Sequence, residues 1–198
     1  MANFDELLNE TFKDNKYMVF TLGPMLGTGS FGNIKPVIKE IDYKDMSGNL
    51  VAKVISTDPR STHIVDRMAI LNNEGVTLLS FDAEVQSHHG FFPKVKPIVK
   101  DASGDVYCNI FYDNRRLPYI TVDGKTILYS KLDNSFILNN GIKIYYSESI
   151  VSTIDKNRTG ILTFNGYLLE ISDRNFLKYI IPLAVGFLKN FGMISGVA

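Results

Sequence analysis

The chain has 198 residues, 45% hydrophobic and 21% charged, with 21 basic residues against 21 acidic ones and no formal net charge. That composition excludes a disordered chain, which combines low hydrophobicity with high net charge, and it offers no global field to attract nucleic acid or an acidic membrane. The single cysteine, Cys108, excludes an intrachain disulfide and a cysteine zinc site.

The first stretch, MANFDELLNE, lacks the basic start and apolar centre of a signal peptide, so the chain is expected to be cytoplasmic when synthesised. Phe4, Leu7, Leu8 and Phe12 recur on one helical face, and residues 4–13 read as a short helix. KYMVFTL (16–22) reads as a strand and leads into the glycine-rich LGTGSFG (26–32). KPVIKEIDY (35–43) and NLVAKVIS (49–56) read as strands joined across Met46-Ser47-Gly48. Ile64, Met68 and Leu71 share a helical face, so 60–73 reads as a second helix, ended by Gly75.

From Val76 onward short strands alternate with turns. KVKPIVK and DVYCNIFYD meet across Ala102-Ser103-Gly104. Asp123-Gly124, Asn140-Gly141 and Asn165-Gly166 each lie between apolar, β-branched runs. Such pairs are the strongest local hairpin signal, because both residues tolerate positive φ. One internal echo stands out: IKPVIK and VKPIVK lead into KDMSGN and KDASGD, giving two pseudo-repeated hairpins over 34–55 and 95–111. No Gly/Ser or Pro-rich linker divides the chain, so residues 1–198 read as a single β-rich domain.

The C-terminal segment FLKYIIPLAVGFLKNFGMISGVA (176–198) is apolar on every helical face, and a helix of that kind is buried. Its uninterrupted apolar run, Tyr179 to Leu188, is about half the roughly 20 residues that a membrane span needs. Pro182 is expected to kink or break the helix. The segment is therefore expected to be buried in its own chain or docked on a neighbouring subunit. Ile180, Ile181, Leu183, Val185, Phe187, Leu188 and Phe191 are the candidate interface residues.

The best enzymatic clue is GTGSFG, with Gly27, Gly29 and Gly32 in the G-x-G-x-x-G spacing. A dinucleotide fold needs a helix after this loop, and Asn33-Ile34-Lys35-Pro36-Val37-Ile38 does not start one. LGTGSFGNI resembles instead the glycine-rich loop of protein kinases, which sits between strands. That resemblance implies a nucleotide-binding module in which Lys53 meets the phosphates, Glu74 pairs with Lys53, and Asp155 and Asp173 stand near the catalytic and metal-binding aspartates. The chain departs from the kinase pattern at each motif. Ala52 and Lys53 are adjacent, Thr153-Ile154-Asp155 replaces His-Arg-Asp, and Asp173-Arg174-Asn175 replaces Asp-Phe-Gly. Hairpin signals also fill the place of the helical lobe.

His88-His89 with Asp82 and Glu84 does not make a metal site, since neighbours on a strand face opposite ways. Arg115-Arg116, Lys94, Lys96 and Lys100 among Phe91, Phe92, Tyr107 and Phe111 have the residue types of a single-strand binding face. Zero net charge argues against nucleic acid as the partner.

These readings predict an antiparallel, hairpin-rich sandwich or barrel-like meander, mainly β, with short peripheral helices near the N-terminus, around 60–73 and at the C-terminus. They predict no catalytic residue, cofactor or metal. The expected role is a structural subunit in a homo- or hetero-oligomer with protein partners and no transmembrane span. The abundance of Ile, Lys, Asn and Asp suggests an AT-rich source and a bacteriophage head–neck, tail or baseplate component assembled into a virion. The alternative is a degenerate kinase-like nucleotide binder using Gly27, Gly29, Gly32 and Lys53.

Overall fold

The computed structural model describes residues 3–27, 35–57, 67–89, 92–133, 141–158 and 164–191. Helix α1 (Phe4–Thr11) is followed by strands β1 (Lys16–Gly27), β2 (Lys35–Lys44), β3 (Leu50–Ser56), β4 (Met68–Asn72), β5 (Thr77–His89) and β6 (Phe92–Asp101). Then come β7 (Val106–Tyr112), β8 (Pro118–Val122), β9 (Lys125–Leu132), β10 (Ile142–Tyr146), β11 (Ser149–Arg158) and β12 (Phe164–Ile171). A single 3-10 turn, Arg174–Phe176, leads into helix α2 (Leu177–Phe191). Each strand pairs antiparallel with the next and β12 pairs with β1, closing an up-and-down barrel of twelve strands. The turn signals thus lead to the antiparallel meander expected of them, and closure selects the barrel over the sandwich.

Five tight turns, within 45–49, 72–76, 101–105, 123–124 and 147–148, gather at one end of the barrel, called here the lower end. Three share one design. Asp45 Oδ1 accepts the amides of Ser47 and Asn49 at 2.8 and 2.9 Å. Asn72 takes those of Glu74 and Val76, and Asp101 those of Ser103 and Asp105. Gly48, Gly75 and Gly104 then turn the chain at positive φ. The turn at 113–117, at the upper end, repeats the design with Asp113 and with Arg116 at φ 64° in glycine's place. Of the two stretches 34–55 and 95–111, residues 35–55 and 95–111 form hairpins of this same kind, while residue 34 lies outside the described residues.

Each lower hairpin also carries a bulge at one matching place. The register leaves Val51, Leu78, Tyr107, Ile127 and Val151 as the extra residues. A bulge re-aims side chains and deepens the twist. Leu78 and Leu79 are therefore buried in succession, as are Val151 and Ser152.

Three expectations are corrected. The helix around 60–73 is a strand where it is described: Met68–Asn72 is β4, paired with both β3 and β5, while 58–66 lie outside the described residues. A five-residue apolar run fits either period, and pairing on both edges decides it. Asn165-Gly166 is no hairpin turn but lies inside β12. Asn140, and the apolar run that precedes it, lie outside the described residues. Asp123-Gly124 does make the two-residue hairpin, at φ 49° and 76°.

The third correction concerns α2, which is not peripheral. Eight strands already leave room for side chains alone, and twelve enclose a wider lumen. The helix enters that lumen from the lower end, and every residue from Ile180 to Leu188 is buried. Phe187 meets the Tyr167 ring of β12 at 6.1 Å. On the far side Gly186 lies against Tyr112 and Ile110 of β7 and Pro118 of β8.

Pro182 sits inside α2 without ending it. Its missing amide would have bonded the Lys178 carbonyl. The Tyr107 hydroxyl, turned inward at a bulge, donates to that carbonyl at 2.9 Å. Burial pushes the Tyr107 pKa well up, so the phenol stays a donor. Tyr107→Phe is expected to cost about 1–3 kcal/mol by stripping a buried acceptor, read as a lowered thermal midpoint. Tyr112→Phe, which removes a 3.4 Å bond to the Gly186 carbonyl, is expected to cost less.

Helix α1 covers the lower end. Asn3 caps it in a capping box with Glu6. Leu8 and Phe12 are buried, Phe12 edge-on to Tyr17 and Tyr43 at 5.3 and 5.5 Å. Arg174 donates to the carbonyls of Phe12 and Asp14 and to Asn9 Oδ1, tying the exit of β12 to the end of α1.

Candidate functional site: the rim and the ends of the barrel

Gly27 ends β1 in register with Lys35, so the glycine-rich stretch connects two paired strands. Gly29 and Gly32 lie outside the described residues. Lys53 is on β3 between buried Ala52 and Val54 and faces outward, where its Nζ meets Glu40 Oε2 at 2.8 Å. That contact holds the Lys53 pKa above its ordinary value. Lys53 is registered with Asp42, and Asp42 with Phe20. From Phe20 to Gly27 the strand climbs about 23 Å at 3.3 Å per residue, beyond the reach of a lysine. Glu74 is in a lower turn, and the partner of Lys53 is Glu40.

The two aspartates of the kinase comparison stand apart as well. Asp155, on β11, is registered with Leu168, and Asp173 caps the 3-10 turn by accepting the Asn175 amide at 3.0 Å. The Asp173 amide bonds the Val151 carbonyl, four residues along β11 from Asp155, which separates the two levels by about 13 Å. Burial, reinforced by Asp133, raises the Asp155 pKa, while Lys143 pairs with Asp133 at 3.2 Å. His88 and His89 are in β5, registered with Pro93 and Phe92.

The basic–aromatic set does not form one face. Tyr107 is turned into the lumen, Lys100 is paired with Asp82 at 2.9 Å, and Phe111 stacks on Tyr119. Phe91 and the side chains of Phe92 and Lys94 lie outside the described residues. Cys108 is buried, and burial pushes its thiol up to about 12, so it is a packing residue, not a thiolate.

Seven candidate interface residues came from the C-terminal segment. Ile180, Ile181, Leu183, Val185, Phe187 and Leu188 are all fully buried by their own chain, which leaves them no surface to offer. Phe191 closes α2 with its side chain outside the described residues. The lumen they fill is the space in which a barrel would hold a ligand. A cleft of about 240 Å³ lies between α1 and the start of α2, lined by Asp5, Asn9, Arg174 and Lys178 among others. Its charges are spent on each other and on backbone: Lys178 pairs with Asp5 at 3.2 Å.

The outer wall carries ion pairs across neighbouring strands, among them Lys16–Glu170 and Lys100–Asp82 at 3.2 and 2.9 Å. A lipid-facing barrel needs an apolar outer band, and these pairs interrupt one. No helix among the described residues is long and apolar enough to cross a membrane. On β7–β10 an outward row of Phe111, Tyr119, Tyr129 and Tyr145 runs in register across four strands. Phe111 stacks on Tyr119 and Tyr129 on Tyr145 at 5.7 and 5.4 Å. The ring faces are turned to each other, which fixes register more than it offers a platform.

Among the described residues, exposed apolar surface is concentrated at the lower end. Eight large apolar side chains are exposed among the described residues, and six of them, Met46, Leu50, Val76, Val106, Tyr146 and Ile150, lie on the lower rim. Leu50, Val106 and Ile150 occupy one equivalent place, the residue before the bulge. Sequence reading missed this rim. The echo KDMSGNL/KDASGDV already aligned Leu50 with Val106, but without the bulge nothing told an outward residue from a core one. No family model matches the chain, and no curated protein or solved structure matches it.

Proposed function

We propose that this protein is a non-enzymatic assembly subunit, contributing surfaces rather than chemistry to a larger protein complex. The observation that carries the reading is the buried α2: the lumen is packed with side chains, while six of the eight exposed large apolar side chains among the described residues are on one rim. The compositional skew suits a bacteriophage virion component of the head–neck, tail or baseplate. The nucleotide-binding alternative requires Lys53 to serve a loop about 23 Å away along the strands.

Thermal unfolding with and without ATP and magnesium tests the reading. A nucleotide site held at 100 times its Kd would add about 2.7 kcal/mol, on the order of 5–10 °C for a domain of this size. The expected shift is nil. A saturable rise of several degrees would overturn the assembly reading in favour of nucleotide binding.

A further inference from the structure

We infer that the chain associates head to tail with copies of itself, the lower rim of one barrel receiving the Arg115–Arg116 turn at the upper end of the next. The inference rests on the assembly reading and names the partner. The lower turns present Glu74, Asp105, Asp123 and Glu148 to solvent, with Lys44, Lys100 and Lys125 in the strands beside them. The described upper turn presents Arg115 and Arg116, both exposed, while Asp113 is folded back on the amides of Arg115 and Leu117. Among the described turns, those at the lower end carry acidic side chains and the one at the upper end carries two arginines. These two sets of turns are electrostatic complements.

Among the described residues, six exposed apolar side chains are on the lower rim and two, Tyr112 and Leu132, are at the upper end. Tyr112 immediately precedes the Arg115–Arg116 turn. Backbone strain marks that turn too. Its three sister turns use Gly48, Gly75 and Gly104 at positive φ, whereas here Arg116 adopts φ 64°. A side chain in this region costs about 1–2 kcal/mol, and the cost falls where a guanidinium is held at the tip. Two lower rims facing each other would oppose like charges. The contact is therefore heterologous, and such a contact propagates into a ring or an open stack.

Sedimentation velocity of the full chain over a concentration series, at low salt and at high salt, is the test. The sedimentation coefficient is expected to rise with concentration and to fall back toward the monomer value in high salt. Two variants, Glu74→Lys/Asp105→Lys/Glu148→Lys and Arg115→Glu/Arg116→Asp, are each expected to stay monomeric alone. Their equimolar mixture is expected to associate again, because each then carries the other's complement. A wild-type chain that stays monomeric throughout overturns the inference, as does association that the swaps leave unchanged. A salt-insensitive wild type overturns it even if both variants fail to fold. A monomer whose melting ignores ATP rejects self-association alone, whereas an ATP-induced rise in midpoint rejects the assembly reading itself.

Discussion

Ending the chain at Phe176 abolishes cooperative unfolding. The truncated chain loses Leu177, Ile180, Ile181, Leu183, Val185, Phe187 and Leu188, all buried in the barrel. Each such side chain contributes about 1.5–3 kcal/mol by burial, so the seven together contribute on the order of 10–20 kcal/mol, as much as or more than the roughly 5–15 kcal/mol by which a domain is stable. The strands would be left around an apolar void too wide for their own side chains to close. The Tyr107 hydroxyl would lose the Lys178 carbonyl. Circular dichroism melting and dye binding read the result: a broad, non-cooperative transition with exposed apolar surface. A truncated chain that melts sharply as a monomer would mean that α2 is not the core, and would return it to the surface as a docking segment.

The second large effect is expected at the closing seam. Gly166 lies in β12 at φ 91°, and a Cβ there would stand 2.6 Å from the Val19 carbonyl oxygen and 3.1 Å from the Phe20 ring. Val19 is paired with the next residue, Tyr167, where β1 and β12 close the barrel. Gly166→Ala therefore meets backbone that cannot swing aside. Left-handed strain adds about 1–2 kcal/mol and overpacking about 1–3 kcal/mol. At about 2–4 °C per kcal/mol, the midpoint should fall by roughly 5–20 °C. Gly124→Ala is the control: its φ is 76°, but nothing lies within 4 Å of the added carbon, so strain acts alone. Equal losses at both positions would show that the seam is not tightly packed.

What could be read in advance follows from how local each signal is. Asp123-Gly124 is legible because the dipeptide itself sets both φ values of the turn. The Asx-x-x-Gly turns are legible at 45–48 and 101–104, where lysine-rich strands flank both copies. The same turn at 72–75 reads as a helix stop in the sequence, since Ile64, Met68 and Leu71 also fit a helical face. Asn165-Gly166 misleads because glycine serves there for close approach of β1, a contact between residues about 150 positions apart that no window shows. The apolar helix is legible as buried from its composition alone. Its place inside the barrel is not, because the lumen exists only once all twelve strands have closed. Pro182 alone predicts a kinked or broken helix, and the residue that satisfies the carbonyl it leaves free, Tyr107, is 75 positions away. The rim was hidden for a related reason: whether Leu50 or Val51 faces outward depends on a bulge, and bulges are properties of paired strands.

Hydrogen exchange of the full chain, resolved to α2, tests the central claim most directly. If the helix fills the closed lumen, the amides of residues 183–188 exchange only with global unfolding and are as protected as those of β8 and β12. Exchange of these amides within seconds, while the strands stay protected, would show an α2 that leaves the barrel, and the account of a solid assembly subunit would fail with it.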